Sequence, residues 1–187
     1  MKFIHLLTIF SLFFITITAS DCKKHTLNPV DQLPPETQTG ANTFGCLING
    51  EAFLPEGPSL APILQCAYQY LNTNYDRGYF FQLSASHKNN TTDVLSVGIF
   101  TDSLIISTGN FLLENNQKGS AYGLYTRYTG TVHVKYYTSK DLPGELTITK
   151  FDEINQIVSG TFWFNLITSS GDTLKITNGR FDMQFTR

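Results

Sequence analysis

The sequence predicts an all-β fold, an antiparallel sandwich or a calycin-like barrel. Three observations carry that expectation. Thr outnumbers Ala by 23 to 7, and aromatic residues make up 13% of the chain. Thr, Phe and Tyr suit a pleated, half-buried surface, whereas Ala is the best helix former. From Thr43 onward short apolar runs alternate with turn residues, and none of them keeps a helical apolar period.

The elements follow in order. Residues 1–21 read as an export signal: Lys2, then a mostly apolar run from Phe3 to Ile17, then the small residues Ala19 and Ser20. The run is too short and too interrupted to span a bilayer stably. The segment Thr18-Ala19-Ser20-Asp21-Cys22 resembles a bacterial lipobox, although Ala19 and Asp21 replace commoner residues. Cys22 is therefore the expected lipidation site, against ordinary cleavage after Ser20. Residues 22–42 hold three prolines and no apolar period, and are expected to be a flexible tether. If extended, such a tether reaches roughly 55 Å.

Residues 43–187 are the expected β-domain. Phe44 to Ile48, Asn49-Gly50 and Glu51 to Leu54 form a tight hairpin, since Asn-Gly supplies the positive φ of a type I′ turn. Strands are expected at 64–70, 79–86, 94–101, 104–107, 111–113, 121–128, 131–137, 145–151, 157–168 and 173–185. Ser169 to Asp172 turns the chain between the last two, pairing Thr168 with Thr173 and Phe162 with Gly179. Asn178-Gly179 is either a second turn or a bulge. The bulge is preferred, because a turn leaves half of the long strand without ladder partners. Phe181, Met183 and Phe185 alternate with Asp182, Gln184 and Thr186, which marks one buried face.

The cysteines are Cys22, Cys46 and Cys66. With Cys22 lipidated, an oxidising compartment makes a Cys46–Cys66 disulfide the expectation, against two buried reduced thiols.

Two stretches resemble a known family. Leu33-Pro34-Pro35-Glu36-Thr37-Gln38-Thr39-Gly40 with Asn42 to Gly50 resembles the opening of a family of small Gram-negative lipoproteins known as a domain of unknown function. Ser159-Gly160-Thr161-Phe162 with Ile176 to Asp182 resembles its closing hairpin. The resemblance implies an exported, tethered β-domain and no particular reaction.

Lys+Arg 13 against Asp+Glu 15 leaves a net charge of −2, so no basic field is available for nucleic acid. His25, His87 and His133 stand apart, at no metal-ligand spacing, and neither a metal nor another cofactor is expected. Phosphate-binding loops, dinucleotide fingerprints and nucleophile elbows are missing from the sequence. Adjacent Asp152 and Glu153 read as a solvated turn.

The stronger lead is aromatic. A two-residue turn at Thr129-Gly130 places Tyr122, Tyr128, His133, Lys135 and Tyr137 on one face, and Tyr125, Val134 and Tyr136 on the other. A tyrosine-rich face can stack on sugar rings, while its plain alternative is an ordinary outer β-surface. Asp102-Ser103-Leu104 and Asp172-Thr173-Leu174 resemble a bacterial O-glycosylation signal at Ser103 and Thr173. The expected function is a lipid-anchored protein of the cell envelope, at the outer membrane of a Gram-negative bacterium. It binds or assembles with a glycan or envelope protein. A small hydrolase or isomerase, or a purely structural component, are the alternatives.

Overall fold

The computed structural model describes residues 28–58, 62–90 and 92–187. The proposed signal over 1–21 and the candidate lipidation site Cys22 lie outside the described residues.

Eleven strands form one sheet. They are β1 (Thr43–Ile48), β2 (Glu51–Phe53), β3 (Leu64–Asn72), β4 (Arg77–Lys88), β5 (Val94–Asp102), β6 (Gly109–Leu113), β7 (Ser120–Tyr128), β8 (His133–Tyr137), β9 (Gly144–Asp152), β10 (Ile157–Ile167) and β11 (Thr173–Gln184). Their order is β2-β1-β11-β10-β9-β6-β7-β5-β4-β3, with β8 also on β7. Every ladder is antiparallel except the single pair Leu113↔Ala121 between β6 and β7. The sheet coils over one core without closing into a barrel. Tyr68 of β3 meets Phe151 of β9 edge-on at 5.2 Å, and Phe164 of β10 packs where a side chain at Gly123 of β7 would stand. At the open seam Tyr68 N–H donates to Thr186 O, and Thr186 N–H to Cys66 O, pinning the chain's end against β3.

The Asn49-Gly50 hairpin forms with positive φ at both residues, 51° and 89°. The final pair also forms, and Phe162 faces Gly179. Nearer the turn the register differs by one residue from the expected one, with Ile167 facing Thr173. The cause is an extra residue in β11 around Asn178, whose φ is 52°. Asn178-Gly179 is thus a bulge, and β11 runs on through it. The same bulge shifts the register of β1 against β11. Phe162 lies over Gly179 and Phe181 over Gly160, each aromatic ring covering the glycine opposite it.

Three expectations need correction. The run 104–107 is not a strand: Leu104 N–H bonds Tyr79 O, and Ile106 is buried as a plug. An apolar run alone does not separate a strand from a buried loop residue. The Cys46–Cys66 disulfide is absent, and both are free, buried thiols. Cys46 sits opposite Phe53 and Cys66 opposite Leu83, on strands that no ladder joins. Burial pushes both thiols well above their ordinary pKa, so they behave as small apolar core residues.

The third correction concerns the tether. Its described part is packed on the domain. A short 3-10 turn, Pro29–Gln32, is capped by Asn28, whose Oδ1 accepts from Val30 N–H. Leu33 is buried, and Pro34 lies over Gly45, where an added Cβ would stand 2.6 Å from its Cδ. Residues 37–41 then wrap Asp182. The carboxylate accepts from Thr37 Oγ1 (2.7 Å), Thr39 N–H (2.9 Å) and Oγ1 (3.1 Å), Gly40 N–H (2.7 Å), Ala41 N–H (3.2 Å) and Ser159 Oγ (2.7 Å). Burial pushes its pKa up, but the hydrogen bonds from Thr37, Thr39, Ser159 and Gly40 outweigh that and hold it well below the usual carboxylate range. The folded unit therefore includes residues 28–42 as well as those from 43 onward.

Candidate functional site

The site is built on β5, β7 and β8. Adjacent residues of a strand point to opposite faces. On β7 this buries Tyr125 and turns Tyr122, Leu124 and Tyr128 the other way. The β7–β8 connection spans Thr129 to Val132 and is closed by Thr129 N–H donating to Val132 O at 2.9 Å. The expected two-residue turn is therefore wrong by two positions, and Tyr128 faces His133 while Leu124 faces Tyr137. A slip of one residue exchanges the faces of a strand, whereas a slip of two restores them. Tyr122, Tyr128, His133, Lys135 and Tyr137 accordingly share one face, turned away from the core. Tyr128 and Tyr137 are each 41% exposed.

The rings form a row. Phe100 of β5 lies opposite Tyr122 and stacks on it at 5.5 Å with 19° between planes. Tyr122 meets Tyr137 at 6.0 Å, tilted by 50°. Phe100 folds across Gly98, where a Cβ would stand 2.6 Å from its ring. The missing side chain lets the ring lie flat against the sheet. Burial, helped by the neighbouring Tyr137 and Asp102, pushes the Tyr122 phenol pKa up, so it stays protonated and able to donate at neutral pH. Exposed Gln82 stands opposite Phe100 on β4 and supplies an amide at the edge. Tyr128 and His133 meet edge-on at 6.2 Å at the far end, next to exposed Lys135. Such a row presents π-faces flanked by hydrogen-bonding groups, the chemistry that receives the C–H face of a sugar ring.

Sequence reasoning missed Phe100 and Gln82. Alternation on β5 carries the signal for Phe100: Ile99 and Val97 are buried, so Phe100 and Gly98 point outward.

The remaining candidates lie elsewhere. Ser103 follows β5 at φ 54°, its hydroxyl donating to Asp102 Oδ1 at 2.9 Å. Thr173 opens β11 and is exposed. His87 reaches Leu54 O through Nδ1 at 3.0 Å. Among the described residues no three His, Cys, Asp or Glu side chains gather as a metal site. Two cavities of about 520 and 560 Å³ run along the open seam and share Asn42 and Leu64. Their described walls are amides, aliphatic groups, the Phe44 ring, the hydroxyls of Thr43 and Thr186 and the sulfurs of Cys66 and Met183, and no carboxylate or imidazole is among them. Asp182, strongly perturbed, is fully buried and saturated with donors, which makes it a packing hub.

The sequence matches a domain of unknown function, DUF6252, over residues 88–183, from the end of β4 to near the end of β11. The chain belongs to the DUF6252 family. The matched span contains β5, β7 and β8 and the closing hairpin, so the aromatic row lies within the DUF6252 region. The strap over 28–42 precedes it. No curated protein and no solved structure matches the chain.

Proposed function

We propose that this DUF6252 protein is a lipid-anchored binding module of the Gram-negative cell envelope, and that it recognises a glycan through the row Phe100, Tyr122 and Tyr137. The observation that carries this is the outward face itself: three contiguous rings, laid flat by Gly98 and edged by Gln82 and Lys135. Aromatic side chains so placed stabilise nothing in the core by their exposed faces, yet they offer a ready stacking surface. The signal-like segment and the lipobox-like sequence at Cys22 support the anchor and the outer membrane as its location. Thr173 is the more open of the two candidate O-glycosylation sites.

Two measurements test this. Labelled palmitate should enter the wild-type protein in cells and not the Cys22→Ser variant, and incorporation that persists in the variant would refute the anchor. A glycan array should show binding at about millimolar strength, near −4 kcal/mol, to glycans whose signal falls in the Tyr122→Ala/Tyr137→Ala double variant. Tyr137→Ala should cost about 1 kcal/mol or less in chemical denaturation, because an exposed ring loses little burial. A loss of about 3 kcal/mol would instead mark Tyr137 as core.

A further inference from the structure

We infer a second sugar-binding site on the other half of the sheet, built on the outer face of β9, β10 and β11 around Trp163. A cavity of about 280 Å³ is lined there by Glu36, Glu145, Trp163, Asn178 and Arg180. It is at the small end for a ligand pocket and suits a single sugar ring. Trp163 is the only tryptophan of the chain, and it is 44% exposed.

The registers explain the geometry. Leu112 of β6, Glu145 of β9 and Trp163 of β10 lie opposite one another in one row on one face. The Glu145 carboxylate thus stands between two exposed apolar side chains. Asn178 sits in the β11 bulge at φ 52°, a left-handed conformation that Asn adopts more readily than most other residues besides glycine. Bulges re-aim side chains and are common beside binding sites. Arg180 is held by one bond, from Nη1 to Pro34 O at 3.2 Å, and its Nε is buried without a partner. The strap that Asp182 fixes at Thr37 delivers Glu36 to the same cavity. Three consecutive strands and the distant strap therefore converge on it.

The lining selects the ligand class. The indole face stacks on the C–H side of a pyranose. The carboxylates of Glu36 and Glu145 accept from hydroxyl or ammonium groups, and Arg180 and Asn178 donate to ring, hydroxyl or acetamido oxygens. Two carboxylates against one guanidinium leave the cavity acidic, which repels acidic sugars and favours neutral or amino sugars. The inference rests on the proposed glycan function for its ligand class alone, since it uses different residues on a different face.

The single tryptophan supplies the readout. The full-length chain, purified in a zwitterionic detergent, is titrated with N,N′-diacetylchitobiose, cellobiose, chitosan disaccharide and glucuronate while Trp163 fluorescence is followed. A saturable response to a neutral or amino disaccharide is expected below about 20 mM. It should persist in the Tyr122→Ala/Tyr137→Ala variant and weaken about tenfold in Glu145→Gln, a near-isosteric change. No saturable response to any of these sugars, an undiminished response in Glu145→Gln, or preference for glucuronate would overturn the site. Array binding undiminished by the Tyr122→Ala/Tyr137→Ala substitutions, with the Trp163 response intact, refutes only the first site.

Discussion

Asp182→Ala is expected to remove about 4 kcal/mol of stability, a large share of what a domain of this size possesses. The carboxylate is fully buried and accepts six hydrogen bonds. Thr39 is exposed and can turn to water, but Gly40 N–H and Ser159 Oγ are buried and lose their partner outright. Each orphaned buried donor costs about 1–3 kcal/mol, and bonds to a charged acceptor are the stronger ones. The pH dependence has a definite sign. The folded carboxyl is held below its unfolded value of about 3.9, so its contribution is fully present above that pH. It is lost as the pH falls from there toward the folded pKa. Asp182→Asn should cost less than the alanine variant and should abolish this share of the acid sensitivity. Urea denaturation at neutral pH and near pH 3 measures both quantities. A cost below about 1 kcal/mol for Asp182→Ala, or an unchanged acid response in Asp182→Asn, would refute the hub.

Gly160→Ala should cost about 3 kcal/mol, the upper end for overpacking a core. Gly160 stands on β10 opposite Phe181 on one side and Ile148 on the other. An added Cβ would lie 2.1 Å from Thr147 O and 3.0 Å from the Phe181 ring. The first obstacle is backbone, so β9 itself must move away from β10. A rotamer change of Phe181 does not relieve it. Gly50→Ala provides the contrast, because nothing lies within 4 Å of its Cβ and only the φ of 89° resists. Its cost should be nearer 1 kcal/mol. Thermal denaturation of the two variants, with equal losses, would contradict the steric account of Gly160.

What could be read from the sequence was local. The Asn49-Gly50 hairpin, the alternation of Phe181, Met183 and Phe185, and the outward set on β7 each depend on residues close in the chain. The outward set survived a wrong turn only because the slip was of two residues. Long-range facts left no such trace. Thr37 to Ala41 looks like linker because its partner, Asp182, lies some 140 residues away. Asp182 itself looks like the solvent side of an alternating strand, and becomes buried because the strap crosses it. Cysteine parity carries no information on which strands face each other, so it could not show that Cys46 and Cys66 each fill a separate place in the core. The Trp163 cavity was equally hidden, since Glu36, Glu145, Trp163 and Arg180 are brought together by ladders and strap.

If the chain is anchored at Cys22 as proposed, the docked strap limits how far the domain can stand from a bilayer. With Cys22 as the anchor, only six Cα steps would separate it from Asn28, the residue that caps the 3-10 turn. A fully extended chain covers that in about 20 Å, well short of what a loose tether from 22 to 42 would allow. A domain anchored as proposed would ride close over the headgroups, where a loose tether from 22 to 42 would let it stand far off.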